Sequence, residues 1–333
     1  MNKKKKFFYL NIFFITILIV SICFFNYKLD PYGIWKTSFK YQVLEPNKNY
    51  AKTQFVLNNP EKYDSFIFGS SRVGHIETNL LHDGKYYNMT YSVGTQHEWL
   101  GTIKTFINND VKIKNIILGI DDFSFTFDPK NNNNDLLRVP YQNLDYKEKF
   151  NKYLLRNPID TYNLNTIRTL INGNYCFNKN DDILETGVTY GNDDEILSDI
   201  ENHVNDPKFN NPANFFGVNR ISESIDEMNE IISICKDNNI NLYVFFNPIN
   251  KITYESNKEV TEEFKEQLQK ITSYWDFSGY NDITTNNFYW YETSHYRNIV
   301  GKMIMEKMFN IELGVDVPNN FGEYHYLSKE YDI

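Results

Sequence analysis

The chain has 333 residues, 41% hydrophobic and 17% aromatic, with 34 basic against 43 acidic side chains and a net charge of −9. That length supports one large domain or a domain with an insertion, and the acidic balance argues against nucleic acid, whose phosphates demand a basic footprint. Cysteine adds little, because Cys23 lies in an apolar run and Cys176 and Cys235 could pair only if the fold brings them together.

In chain order, Lys3 to Lys6 precede an uncharged run from Phe7 to Phe25. At 1.5 Å per residue such a run is about long enough to cross a hydrocarbon core of roughly 30 Å. A secretory signal would end in small residues at a cleavage site, but the first alanine is Ala51, so residues 1–26 are expected to be a basic tip and a retained anchor embedded in the lipid bilayer. Lysines before the run and only Lys28 just after it place the N-terminus in the cytoplasm and the remainder outside. Residues 27–60, with Pro31 and Pro46, read as a stalk.

From Tyr63 an alternation of strands and helices predicts an α/β fold, a three-layer doubly wound parallel sheet over residues 61–312. Expected strands are Tyr63 to Phe68, Lys85 to Met89, Asn115 to Ile120, Ile240 to Phe246 and Tyr274 to Phe277. Helices are expected at His97 to Asn109, through Ile221 to Cys235, through Val260 to Ile271 and from Ile299 to Met308, on apolar residues at helical spacing. Residues 123–216, rich in Asn, Asp and Tyr, break the rhythm and are expected as an insertion beside the crevice at the carboxyl ends of the strands. Residues 313–333 read as a tail.

Four short segments carry the chemistry: Gly69-Ser70-Ser71 at the end of the first strand, Asn88 to Gly94, Gly119-Ile120-Asp121-Asp122, and Glu292-Thr293-Ser294-His295. In order and spacing they resemble the blocks of the SGNH/GDSL hydrolase superfamily, with a flavodoxin-like sheet as the implied fold. The resemblance makes Ser71 the nucleophile by position, His295 the base and Glu292 its orienting carboxylate, although Asp276 or Asp282 could fill the last role. It gives Gly94 an oxyanion N–H. Asp121 stands where the family has an asparagine donor, and a carboxylate only accepts, so the oxyanion site is expected to rely on the N–H groups of Ser71 and Gly94 or on another donor. Arg72, beside the nucleophile, reads either as a clamp for a phosphate or carboxylate of the substrate or as a structural ion-pair partner.

Gly-Ser-Ser together with an N-terminal anchor is most similar to the branch that modifies cell-surface polymers, which includes teichoic-acid D-alanylation and alginate O-acetylation proteins. The implied activity is that of a serine esterase or O-acyltransferase on a surface glycan or wall polymer, with a membrane-bound acyl-transfer protein as a candidate partner. The alternatives are a catalytically inactive SGNH-like scaffold and a simple lipase. No metal or cofactor is expected, since His75, His82, His97, His203 and His325 lack paired metal-ligand spacing and no phosphate-loop or dinucleotide motif occurs.

Overall fold

The computed structural model describes residues 3–35, 45–172, 185–213 and 217–328, with the side chains of residues 169 and 170 excepted. Cys176 lies outside these residues. The chain divides into two compact units, residues 1–51 with 132–179 and residues 52–131 with 180–333.

The second unit holds a six-stranded, mostly parallel sheet. Its strands are β1 (Ser65–Gly69), β2 (Tyr86–Asn88), β3 (Asn115–Ile120), β4 (Asn241–Phe246), β5 (Tyr274–Asp276) and β6 (Glu323–His325), ordered β2-β1-β3-β4-β5-β6. All neighbours run parallel except β5 and β6, which are antiparallel. The expected all-parallel sheet is therefore corrected to a mixed one, because the segment expected as a tail supplies an edge strand. Three residues are too short for any periodicity to announce.

Side chains alternate across the sheet, and both faces are covered. Phe66, Phe68, Ile116, Leu118 and Ile120 enter one core with the apolar stripes of α3 (Gln96–Asn108), α5 (Ile221–Asp237) and α6 (Lys251–Gln269). Ile67 and Ile117 enter the other, with Val300, Met303 and Ile304 of α7 (Asn298–Phe309). The expected stalk is also corrected. Residues Lys48–Asn58 form a helix, α2, whose Val56 is buried in the first core. Nor is 123–216 a single insertion, since residues 132–179 group with the N-terminal unit and 180–216 with the sheet.

In the first unit, α1 (Lys3–Leu29) is long and apolar enough to cross a membrane, and no residue of its apolar span is buried. This is consistent with a single-pass anchor. A short helix, α4 (Leu164–Ile171), also belongs to this unit.

Candidate active site

Strands β1 and β3 pair with Gly69 opposite Gly119, and both chains turn away just beyond, at Ser70-Ser71 and Asp121-Asp122. A Cβ at Gly69 would come within 2.8 Å of Gly119 O, and one at Gly94 within 2.7 Å of Gly69 O, so only glycine lets these three segments close on one another. Ser71 opens a short 3-10 turn whose N-cap is Ser70, and Thr90 Oγ1 donates to Ser70 O at 2.7 Å.

The base arrives from the far end of the sequence on a tight loop. Trp290 and Tyr296, both fully buried, form an antiparallel bridge at its base, and the Tyr291 N–H donates to His295 O at 2.8 Å. Tyr296 Oη donates to Asn247 Oδ1, and Thr253 Oγ1 to Thr293 O. The closing helix begins at Asn298, so His295 belongs to the loop.

Ser71 Oγ lies 2.7 Å from His295 Nε2, and His295 Nδ1 is hydrogen-bonded to Glu292 Oε1. A carboxylate can only accept, so the ring proton sits on Nδ1 and Nε2 is left to accept from the serine hydroxyl. The Glu292 carboxylate also accepts from the Ser294 N–H at 2.5 Å and the His295 N–H at 3.0 Å. Burial pushes Glu292 up, but the bond from His295 and the two N–H groups outweigh it and hold its carboxyl below the usual range. Asp276 and Asp282 are engaged elsewhere, with Lys265 and Asn320. The geometry thus brings Ser71, His295 and Glu292 together.

Among the described residues, the N–H groups of Ser71 and Gly94 have no protein acceptor. Before Gly94, Val93 has φ 55°, a left-handed conformation that costs a β-branched residue on the order of 1–3 kcal/mol. Its side chain is held in a small apolar cluster with Phe123 and Phe127. Nothing in the sequence announced this strain, because valine is read as a strand former.

The structure decides between the two readings of Arg72. Arg72 is fully buried, its Nε donating to Ser294 O at 2.8 Å and its Nη1 to Asp122 Oδ1, so it cannot grip a substrate anion. Instead it bridges the turn of Ser71 to the loop of His295. Asp121, which stands at the family's oxyanion position, is not aimed at an oxyanion. One carboxylate oxygen accepts from Ser70 Oγ and the other from the Phe123 N–H. Asn257 on α6 completes the network by donating to Asp122 Oδ2 at 2.8 Å. That partner is distant in sequence, and no local signal marks it.

This network holds two buried carboxylates and one guanidinium. Burial first, and the neighbouring Asp122 as well, push Asp121 up to about 6 despite the opposing pull of Arg72 and the bonds from Ser70 and Phe123. A folded-state value above the unfolded one, about 3.9, means that the carboxyl favours folding when protonated and that this benefit is lost as pH rises from about 4 through 6. Asp121→Asn keeps the shape, pairs Arg72 with Asp122 alone and removes the surplus charge. The variant is expected to match the natural chain in urea near pH 4 and to exceed it by on the order of 2 kcal/mol at pH 8. A constant difference across that range would show that Asp121 carries no such burden.

Against known proteins, the chain matches no family model, and no curated protein matches it. A cavity of about 380 Å³ is lined by Tyr291, the residue before Glu292, together with Asn192, Glu195, Asp199, Asn202 and His203, and by none of Ser71, Glu292 and His295. Among the described residues no group of three or more His, Cys, Asp or Glu could hold a metal ion.

Proposed function

We propose that the chain is a membrane-anchored, outward-facing serine esterase or O-acyltransferase of the SGNH/GDSL type, acting on a surface polysaccharide or wall polymer. The observation that carries this reading is the 2.7 Å contact of Ser71 Oγ with a histidine that a carboxylate holds on its other ring nitrogen. A serine hydroxyl is a poor nucleophile until a base accepts its proton, and a positioned histidine contributes roughly 10²- to 10⁴-fold.

In the first half-reaction Ser71 Oγ attacks the acyl carbonyl carbon while its proton passes to His295 Nε2. The resulting oxyanion is met by the N–H groups of Ser71 and Gly94, and Glu292 stabilises the imidazolium. His295 then protonates the departing alkoxide, leaving an acyl-enzyme ester. In the second half-reaction a sugar hydroxyl or water gives its proton to His295, attacks the ester and releases Ser71, which recovers the proton.

The apolar N-terminal helix supports a substrate at the cell surface. The test is labelling of the full chain in detergent with a fluorophosphonate. Ser71 is expected to be labelled, and Ser71→Ala to abolish the signal with the fold unchanged. Absence of labelling in a folded natural chain would favour the inactive scaffold.

A further inference from the structure

In the first unit, the segment from Phe150 to Ile171 packs on the outer end of α1. Asn26, buried near the end of that helix, donates through Nδ2 to Leu154 O at 2.9 Å and to Arg156 O at 2.7 Å. The rings of Phe25 and Tyr162 meet edge to face with centroids 5.5 Å apart. The segment is therefore fixed where the uncharged run of α1 stops.

Its apolar side chains face outward. Ile159 is 76% exposed, Leu164 76% and Ile171 78%, and Phe150, Leu155 and Ile167 are exposed as well. Along α4, Leu164, Ile167 and Ile171 fall at i, i+3 and i+7, a single face that a helix of a soluble domain would bury. Clustered exposure of this kind marks an interaction surface rather than the scattered apolar residues of an ordinary exterior. The charge of the segment is also distinctive. From Phe150 to Ile171 there are three basic residues and one acidic, in a chain whose net charge is −9.

We propose that residues 150–171 lie in the lipid–water interface at the outer end of the anchor, with Ile159, Leu164, Ile167 and Ile171 among the acyl chains and the basic residues at anionic headgroups. The inference rests on α1 being the membrane span. Continuity with that span selects lipid as the occupant, because α1 leaves the bilayer beside this face. An amphipathic segment of this composition sinks its apolar side about 5–10 Å below the headgroups, and its cations add attraction to anionic lipid. Tyr162 and Trp35 add the aromatic side chains that favour this depth.

The experiment uses the full chain with Cys23, Cys176 and Cys235 replaced by alanine, in nanodiscs of phosphatidylethanolamine and phosphatidylglycerol. Single cysteines at Leu164→Cys, Ile167→Cys and Ile171→Cys carry an environment-sensitive NBD label, and near-ultraviolet circular dichroism checks the fold. All three labels are expected to shift to the blue, to be quenched by lipids bearing a nitroxide near the headgroup, and to resist aqueous iodide. A label at Glu230→Cys on α5 should respond to iodide alone. Iodide quenching at the three sites overturns the proposal, and so does shielding from both quenchers, which would mean that a second copy or another protein covers the face. A label at Leu18→Cys tests the underlying premise separately. Quenching there by nitroxide deep in the acyl chains upholds the span, and quenching by iodide removes it.

Discussion

Alanine at His295 is expected to lower hydrolysis of a p-nitrophenyl ester by about 10⁴- to 10⁶-fold without unfolding the protein. The ring is one-third exposed, so its loss opens no cavity in either core. What disappears is the acceptor 2.7 Å from Ser71 Oγ, which in the proposed mechanism takes the hydroxyl proton as the carbon–oxygen bond forms. Glu292→Gln should cost less, on the order of 10³- to 10⁴-fold, because an amide can present its nitrogen to Nδ1 and so favour the wrong tautomer. The amide would also have to face the Ser294 and His295 N–H groups with only one oxygen, which loosens the loop. Ser71→Ala with His295→Ala should be scarcely worse than either alone, since the two act as one unit. The check is kcat and KM for the three variants and the double variant. Independent, additive losses would argue that the serine and histidine do not share a step.

The parts of this arrangement that sequence exposed are those with local patterns. All five parallel strands are apolar runs or short apolar stretches ended by polar residues, and the apolar spacing in 221–235 and 260–271 marks the two long helices that cover one face. The Ser71 turn was legible because a buried strand runs into Gly-Ser-Ser. The role of Arg72 was not. An arginine beside a nucleophile reads equally as a substrate clamp or as a structural ion-pair partner until its partners are known, and those partners, Asp122 and Ser294, lie on two other segments. Lys52 was hidden for the same reason. It is buried and donates to the carbonyls of Asn88, Thr90 and Gly187, from two separate segments of the chain. The division of 123–216 between two units was equally invisible, because a polar, asparagine-rich stretch carries no periodicity that says which surface it joins.

Arg72→Met is expected to destabilise the sheet unit by about 3–5 kcal/mol, the cost of leaving buried carboxylates without their counter-ion. Asp121 and Asp122 are both fully buried, and Arg72 is the cation beside them, 3.9 Å from Asp121 Oδ1 and hydrogen-bonded to Asp122. If charge is the cause, Arg72→Met with Asp122→Asn should recover part of the loss, and urea midpoints at pH 8 will show it. An unchanged midpoint in Arg72→Met would refute the electrostatic role. The arginine also has a geometric task, which lysine separates from the charge. Arg72→Lys keeps a cation near Asp122 but has a single nitrogen head, without the planar fork that reaches Ser294 O and Asp122 at once. The lysine variant should therefore fold, yet hold His295 less firmly over Ser71. Because a small displacement of reacting groups weakens the chemical step more than ground-state binding, kcat should fall on the order of 10²-fold with KM little changed. A proportional rise in KM instead would return Arg72 to the substrate. The buried position of the guanidinium, stacked 4.5 Å from the Phe123 ring centroid with no surface to offer a ligand, is the reason to expect the loss in kcat.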